Sequence, residues 1–455
     1  MFRPFVDQLS QALSIGDEST DIGALTLVGQ DDLPSWFAVS DLASASIGLA
    51  GLALAEWQAR HNSPPAKVTV DRRLASLWFG MTLRPIGWEL PSPWDPIAGD
   101  YCAQDGWIRL HTNAPHHRKA ALHVLGDCKE AANVEKAVAQ WDATALESAI
   151  VEAGGCAAQM RDLYAWRWHP QGAAVACEPL VAWQQTGVAE RPGTLRSTDH
   201  PLSGIKVLDL TRVLAGPVAT RFLAAYGADV LRIDPPDWDE PGVLPEVTLG
   251  KRCAGLDLKK ASDRAVFDRL LAGADVVLHG YRPGALDALG YDADKRRDIN
   301  PALIDVSLNA YGWSGPWSGR RGFDSLVQMS CGIAAYGMAK AKSERPVPLP
   351  VQALDHATGY LLAASTLKAL RRRSETGEIH SARLSLARTA LVLIEAKRPD
   401  TGSGFRSESD DDLCDRLEQT DWGPARRIRF PISTAGTKIG WKHAAGNLRT
   451  SKPSW

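Results

Sequence analysis

The sequence predicts an α/β fold: an open, mostly parallel, doubly wound sheet with a second, smaller α+β domain. Three observations predict it. From Ile205 to Ser307, apolar runs of strand length alternate with segments of helical period, the pattern of consecutive βαβ units. Within that region, Val207–Gly227 reads as strand, tight turn and helix. It alternates through Val207-Leu208-Asp209-Leu210, breaks at Ala215-Gly216-Pro217, and resumes at Val218, Phe222, Leu223 and Tyr226. Such a unit sets a helix N-terminus, with free backbone N–H groups, beside the end of a buried strand, where phosphates bind. Earlier in the chain, 100–153 combines a hairpin signal with three helical segments, the make-up of a compact α+β unit.

Composition narrows the function. The chain has 455 residues, enough for two or three domains with ample core. Its net charge of -2 argues against a general nucleic-acid or membrane-surface binder. No apolar run reads as long enough to span a bilayer, and MFRPFVDQLSQ lacks the pattern of a secretory leader, so a cytoplasmic location is expected. The seven cysteines stand singly, without metal-ligand spacing; they read as small core residues in a reducing compartment, and no metal site is expected.

The elements follow in order. Residues 1–36 are irregular, with short helix or strand candidates. Ser40–Arg60 predicts a helix, capped by Ser40 or Asp41, with Ala45, Gly48, Leu49, Leu52, Ala53 and Trp57 on its apolar face. Lys67–Asp71 predicts a strand and Leu74–Phe79 a helical turn. Trp88–Pro96 is rich in proline and tryptophan, a loop. Asp100–His111 predicts a hairpin about Asp105-Gly106, and helices follow over 118–125, 129–141 and 144–153. Residues 191–203 have linker composition. Strands are expected at 206–210, 229–233, 275–279 and 302–308. Helices are expected at 217–226, 262–273, 284–289 and 293–298. Gly312–Gly322 is a glycine-rich loop, 324–336 a helix, Glu344–Pro350 a proline-rich crossing, and Asp355–Arg373 a strong helix. Residues 394–455 are polar and irregular, with many charges in 398–418, and predict a surface-wrapping or partly disordered tail. There is also an internal repeat: Asp41–Phe79 aligns with Asp355–Leu393 without a gap, pairing Asp41 with Asp355.

Several blocks then resemble one family, in its order. They are Val207–Arg212 with Ala215-Gly216-Pro217; Gly227–Val230 with Asp234-Pro235-Pro236; Lys251-Arg252 with Leu256–Lys259; and Ala274–Val277 with Tyr281–Gly284 and Leu289-Gly290-Tyr291. Tyr311-Gly312, Gly315-Pro316, Gly322-Phe323-Asp324 with Gln328, and Asp355 with Gly359 complete the set. Together they resemble the family III CoA-transferases, the group of the formyl-CoA and carnitine-CoA transferases. The N-terminal part resembles the later half of that family, through Gly99-Asp100-Tyr101, Asp105-Gly106, Ala157-Ala158 and Trp166 with His169-Pro170-Gln171. The halves thus stand in rearranged order: 1–190 like the family's C-terminal half and small domain, 191–203 a linker, 204–393 the CoA-binding half with the nucleophile motif, and 394–455 a tail.

The resemblance implies a CoA-transferase acting on an acyl-CoA and a carboxylic acid, with coenzyme A thioester as substrate, no tightly bound cofactor, and a homodimer. It places the nucleophile on Asp355, passing through an aspartyl-acyl anhydride and an aspartyl-CoA thioester. A carboxylate at the start of an apolar helix also suits the helix dipole, and a plain N-cap would look the same. Asp41 is the rival, but Ala45 stands where the motif has Gly359. Val213, Leu214 and Ala215 occupy the turn that the family sets against CoA, although core packing alone would account for them. Gly280, Tyr281 and Arg282 fall in a second CoA loop, where Tyr281 can stack on adenine and Arg282 can meet a phosphate. Arg320 and Arg321 are the further cationic candidates. An α-methylacyl-CoA racemase of the same fold would need a histidine where Phe323 stands. A CoA lyase or hydrolase, and a non-catalytic CoA-binding protein, are the remaining alternatives.

Overall fold

The computed structural model describes residues 2–15, 20–59, 65–126, 128, 130–189, 199–402 and 404–455. Most of the predicted linker, 191–198, lies outside them. The main sheet has seven strands in the order Arg252–Gly255, Asp229–Asp234, Lys206–Leu210, Val276–His279, Ile304–Asn309, Glu378–Ser385 and Ala182–Val188. The first six run parallel and the seventh is antiparallel. Period-2 alternation sends Val207, Leu278 and Val306 to one face and Leu208, Leu231 and Val277 to the other, and each face is buried under its own cluster. Three strands carry no clear sequence signal: Arg252–Gly255 is short, Glu378–Ser385 is interrupted by polar residues, and Ala182–Val188 is a half-exposed edge.

Strand order reverses between Lys206–Leu210 and Val276–His279, which pair in register with Leu210 opposite His279. Turns 211–215 and 280–284 therefore leave the sheet side by side, at the switch point where open α/β sheets hold ligands. The helix Ala353–Thr376, buried over most of its length, packs against the helix Ala215–Ala225. Gly359 permits the approach: a Cβ there would come within 2.5 Å of the Ala215 carbonyl oxygen.

The repeat is matched element by element. Helix Val39–Gln58, strand Val68–Asp71 and helix Arg72–Leu77 correspond to helix Ala353–Thr376, strand Glu378–Ser385 and helix Leu386–Glu395. Asp71 caps its helix by accepting from the Leu74 N–H, as Ser385 accepts from the Arg388 N–H. The two long helices pack on one another. Each begins two residues before its aspartate, so neither Asp41 nor Asp355 is an N-cap; both sit in the first turn.

The smaller domain is α+β, with strands Gly99–Cys102, Trp107–Leu110 and Ala157–Gln159 under helices Pro115–Leu125, Ala131–Val138 and Ala143–Glu152. Other expectations need correction. The segment 284–289 forms only a 3₁₀ turn at Asp287–Leu289, bracketed by left-handed Gly284 and Gly290. The helix expected over 324–336 breaks at Gly332, whose φ of 90° and contact with the Asp162–Leu163 backbone stop it. Residues 404–455 are an ordered part of the fold. Gly423–Arg427 pairs with Leu83–Pro85, and Ile432–Thr434 pairs with Val68–Asp71. The helix Val39–Gln58 is long and apolar enough to cross a membrane, contrary to the sequence expectation, but it is fully buried inside the protein.

Candidate functional site

A cleft of about 530 Å³ opens at the carboxyl ends of the central strands. One wall is the turn 211–215, which leads into a helix with no side-chain cap, so its first N–H groups are unclaimed by a cap. The turn is strained: Val213, a β-branched residue, has φ 62°. It is held there by Glu240, whose carboxylate accepts the Val213 N–H at 2.8 Å and pairs with buried Arg232. Asp209, at the end of the preceding strand, anchors the same turn. It pairs with Lys251 at 2.9 Å and accepts from the Thr211 N–H and the Thr220 hydroxyl. Burial pushes its carboxyl up, but the Lys251 and Arg232 charges hold it down at about 2.

Asp355 lines this cleft from the first turn of its helix. Among the described residues its carboxylate accepts no hydrogen bond and meets no cation. Burial, and then the charge of Asp324, push its carboxyl well above the usual range. Asp324 itself accepts the Asp355 backbone N–H at 2.8 Å and the Gln328 amide, while Gln328 accepts the Leu349 N–H. Burial raises Asp324 to about 6. The two carboxyl groups therefore form a buried pair that disfavours double ionisation.

Val213, Leu214, Ala215, Gly280, Tyr281, Arg282, Arg320, Arg321 and Asp355 all line this one cleft. Their environments differ. Arg282 and Arg321 are exposed and have no ion pair among the described residues. Arg320 is committed: it pairs with Glu147 at 2.9 Å, donates to the Ala157 carbonyl, and lies 4.0 Å over the Trp317 ring. It fastens the smaller domain to the cleft wall. Asp41 is away from the cleft, with both oxygens engaged by Arg72 at 3.0 Å and Arg398 at 2.5 Å. Arg72 is the repeat counterpart of Leu386, which lines the cleft beside Asp355. That position gives Asp41 one of its two arginine partners and offers Asp355 none.

Sequence reasoning assigned no role to Asp324, though it quoted the residue in a motif, and it did not reach His116, His117, Trp238 or Asn309, which also line the cleft. The two histidines come from the smaller domain, 239 and 238 positions before Asp355 and on the other side of the linker, and no local pattern signals that meeting. Among the described residues, no group of three histidine, cysteine or acidic side chains is placed to hold a metal.

Residues 202–415 match the family model described as CoA-transferase family III. The chain is 38% identical over 206 residues to an acetyl-coenzyme A transferase of Hypoxylon pulicicidum, covering 44% of this chain and 34% of that protein. It is 36% identical over 191 residues to a probable fatty acyl-CoA transferase of Mycobacterium tuberculosis, covering 39% and 48%. It is 31% identical over 267 residues to the human succinyl-CoA:glutarate CoA-transferase, covering 55% and 57%. The chain thus spans between 34% and 57% of the length of these curated relatives.

Proposed function

From the match of residues 202–415 to the CoA-transferase family III model, we propose that this chain moves CoA from an acyl-CoA thioester to a carboxylic acid, with Asp355 as nucleophile. The observation that carries the reading is an unpaired, buried carboxylate in a cleft shared with an uncapped helix N-terminus at the sheet's switch point. The cleft wall at 211–215, with Tyr281 and the exposed cations Arg282 and Arg321, suits the nucleotide end of CoA.

The chemistry needs only Asp355 and the two substrates. The ionised carboxylate attacks the thioester carbonyl, the C–S bond breaks, and CoA leaves as thiolate from an aspartyl-acyl anhydride. The thiolate attacks the aspartyl carbonyl and expels the first acid as carboxylate, leaving an aspartyl-CoA thioester. The acceptor carboxylate attacks that thioester, and the released thiolate then attacks the acceptor's acyl carbon, giving the new acyl-CoA and regenerating Asp355. The raised pKa of Asp355 makes its ionised form the stronger nucleophile.

Two measurements probe this reading. Asp355 attacks only when ionised, and burial and the Asp324 charge raise its carboxyl, so adduct formation is expected to fall on the acid side at a pH well above the ordinary carboxylate range. Asp324→Asn removes the negative neighbour and is expected to move that acid limb to lower pH; a limb that stays in place sinks the coupling. Asp41→Asn is expected to leave adduct formation unchanged while lowering stability by about 3 kcal/mol, since it weakens a buried carboxylate's hold on two guanidinium groups. Adducts are read by mass spectrometry after hydroxylamine treatment, and stability by urea denaturation.

A further inference from the structure

The cleft that holds Asp355 has a second wall, made by His116 and His117 at the start of helix Pro115–Leu125. The two rings differ sharply. His116 is exposed, whereas His117 is only 3% exposed, and neither of its ring nitrogens has a hydrogen-bond partner among the described residues. A buried imidazole with both nitrogens idle carries the full cost of desolvation and gains nothing within the protein.

Its surroundings offer no internal partner among the described residues. The His116 ring lies 4.1 Å away between centroids, and the Phe323 ring meets His117 edge-on at 5.8 Å. Phe323 is stacked in turn on His111 at 3.8 Å. It directly precedes Asp324, the residue that accepts the Asp355 N–H. The position of His117 is therefore fixed by packing against the segment that positions the nucleophile. Burial, with the nearby His116 and Arg321, lowers His117 to about 3. The ring is uncharged at neutral pH and offers one N–H donor without a competing positive charge.

We propose that His117 donates this N–H to the acyl carbonyl oxygen of a bound acyl-CoA, and to the oxyanion that forms there when Asp355 attacks. The proposal rests on the function proposed above. No proton changes hands: the carbonyl π electrons move onto oxygen as the aspartyl C–O bond forms, and return as the C–S bond breaks, while the hydrogen stays on the ring. A preformed neutral donor in a dry site is the arrangement that stabilises developing oxyanions.

The test uses the full chain with acetyl-CoA and CoA as probes. In an Asp355→Asn background, which blocks chemistry, His117→Ala is expected to weaken acetyl-CoA binding about tenfold and leave CoA binding unchanged, because only the thioester carries the carbonyl. His117→Asn, whose amide can donate, is expected to restore most of the loss. With Asp355 intact, adduct formation is expected to slow about 10²-fold in His117→Ala, with the asparagine variant in between. Acetyl-CoA and CoA weakened equally, neither weakened, or an adduct rate equal to wild type would each overturn the proposal. If wild type binds both probes and forms the adduct while the variants behave as it does, only this inference falls. If wild type binds neither probe, the proposed function falls and the inference with it. Where His117→Ala lowers the melting temperature, the asparagine variant carries the comparison.

Discussion

Asp355→Asn is expected to eliminate the hydroxylamine-sensitive adduct and to lower transfer by at least about 10³-fold, the scale on which removal of a nucleophile acts. The fold is expected to survive it. Among the described residues the Asp355 carboxylate has no salt bridge to lose, and burial and Asp324 both disfavour its charge. A raised acid costs the folded state stability once it ionises, from its ordinary range upward in pH. A neutral amide of the same shape is thus expected to match or exceed wild type in urea at pH 7. A wild-type rate in this variant would move the chemistry elsewhere. A collapse of stability would mean that the carboxylate has a partner that the geometry does not show.

Glu246→Ala carries the largest expected cost in stability, about 3–5 kcal/mol. Glu246 is fully buried and pairs with Arg221 and, at 3.3 Å, with Arg427, while accepting the Thr82 N–H at 2.9 Å. Three distant parts of the chain meet there: Thr82, just before strand Leu83–Pro85, the half with the cleft, and the ordered C-terminal residues. Removing the carboxylate strands Arg221 in the interior, whereas Arg427 keeps Glu418 at 2.8 Å. Burial pushes Glu246 up, but Arg221 and Arg427 hold it down at about 2. Its contribution is therefore complete above the ordinary glutamate range and is lost as pH falls from about 4.5 toward 2. Wild type should lose stability faster than the variant across that window, read by urea midpoints at several pH values. Parallel curves would show that the cluster contributes nothing net.

Much of this was legible before any coordinates, and for identifiable reasons. Lys206–Leu210, Asp229–Asp234 and Val276–His279 are buried on both faces, so their apolar runs stand out. Gly423–Arg427 and Ile432–Thr434 are short and polar, and their strand character comes from partners more than three hundred positions away. The cleft residues after the first and fourth parallel strands were legible because strand, turn and helix are contiguous there. His117 was not, because it reaches the cleft through the packing of a whole domain. The sequence separated Asp355 from Asp41 by Gly359 against Ala45; the different surroundings of the two carboxylates come from Arg72 and Leu386, equivalent positions in the repeat whose importance shows only when their side chains are placed.

His117 and Asp355 face one cleft although they lie on opposite sides of the linker, and both belong to a single chain. That arrangement has a consequence for mass action. A site assembled from two copies loses occupancy as the protein is diluted below its dissociation constant, and its specific activity falls with concentration. Here both walls travel together at a fixed local concentration. Specific activity per chain is expected to stay level on serial dilution into the nanomolar range, whatever other copies the protein associates with.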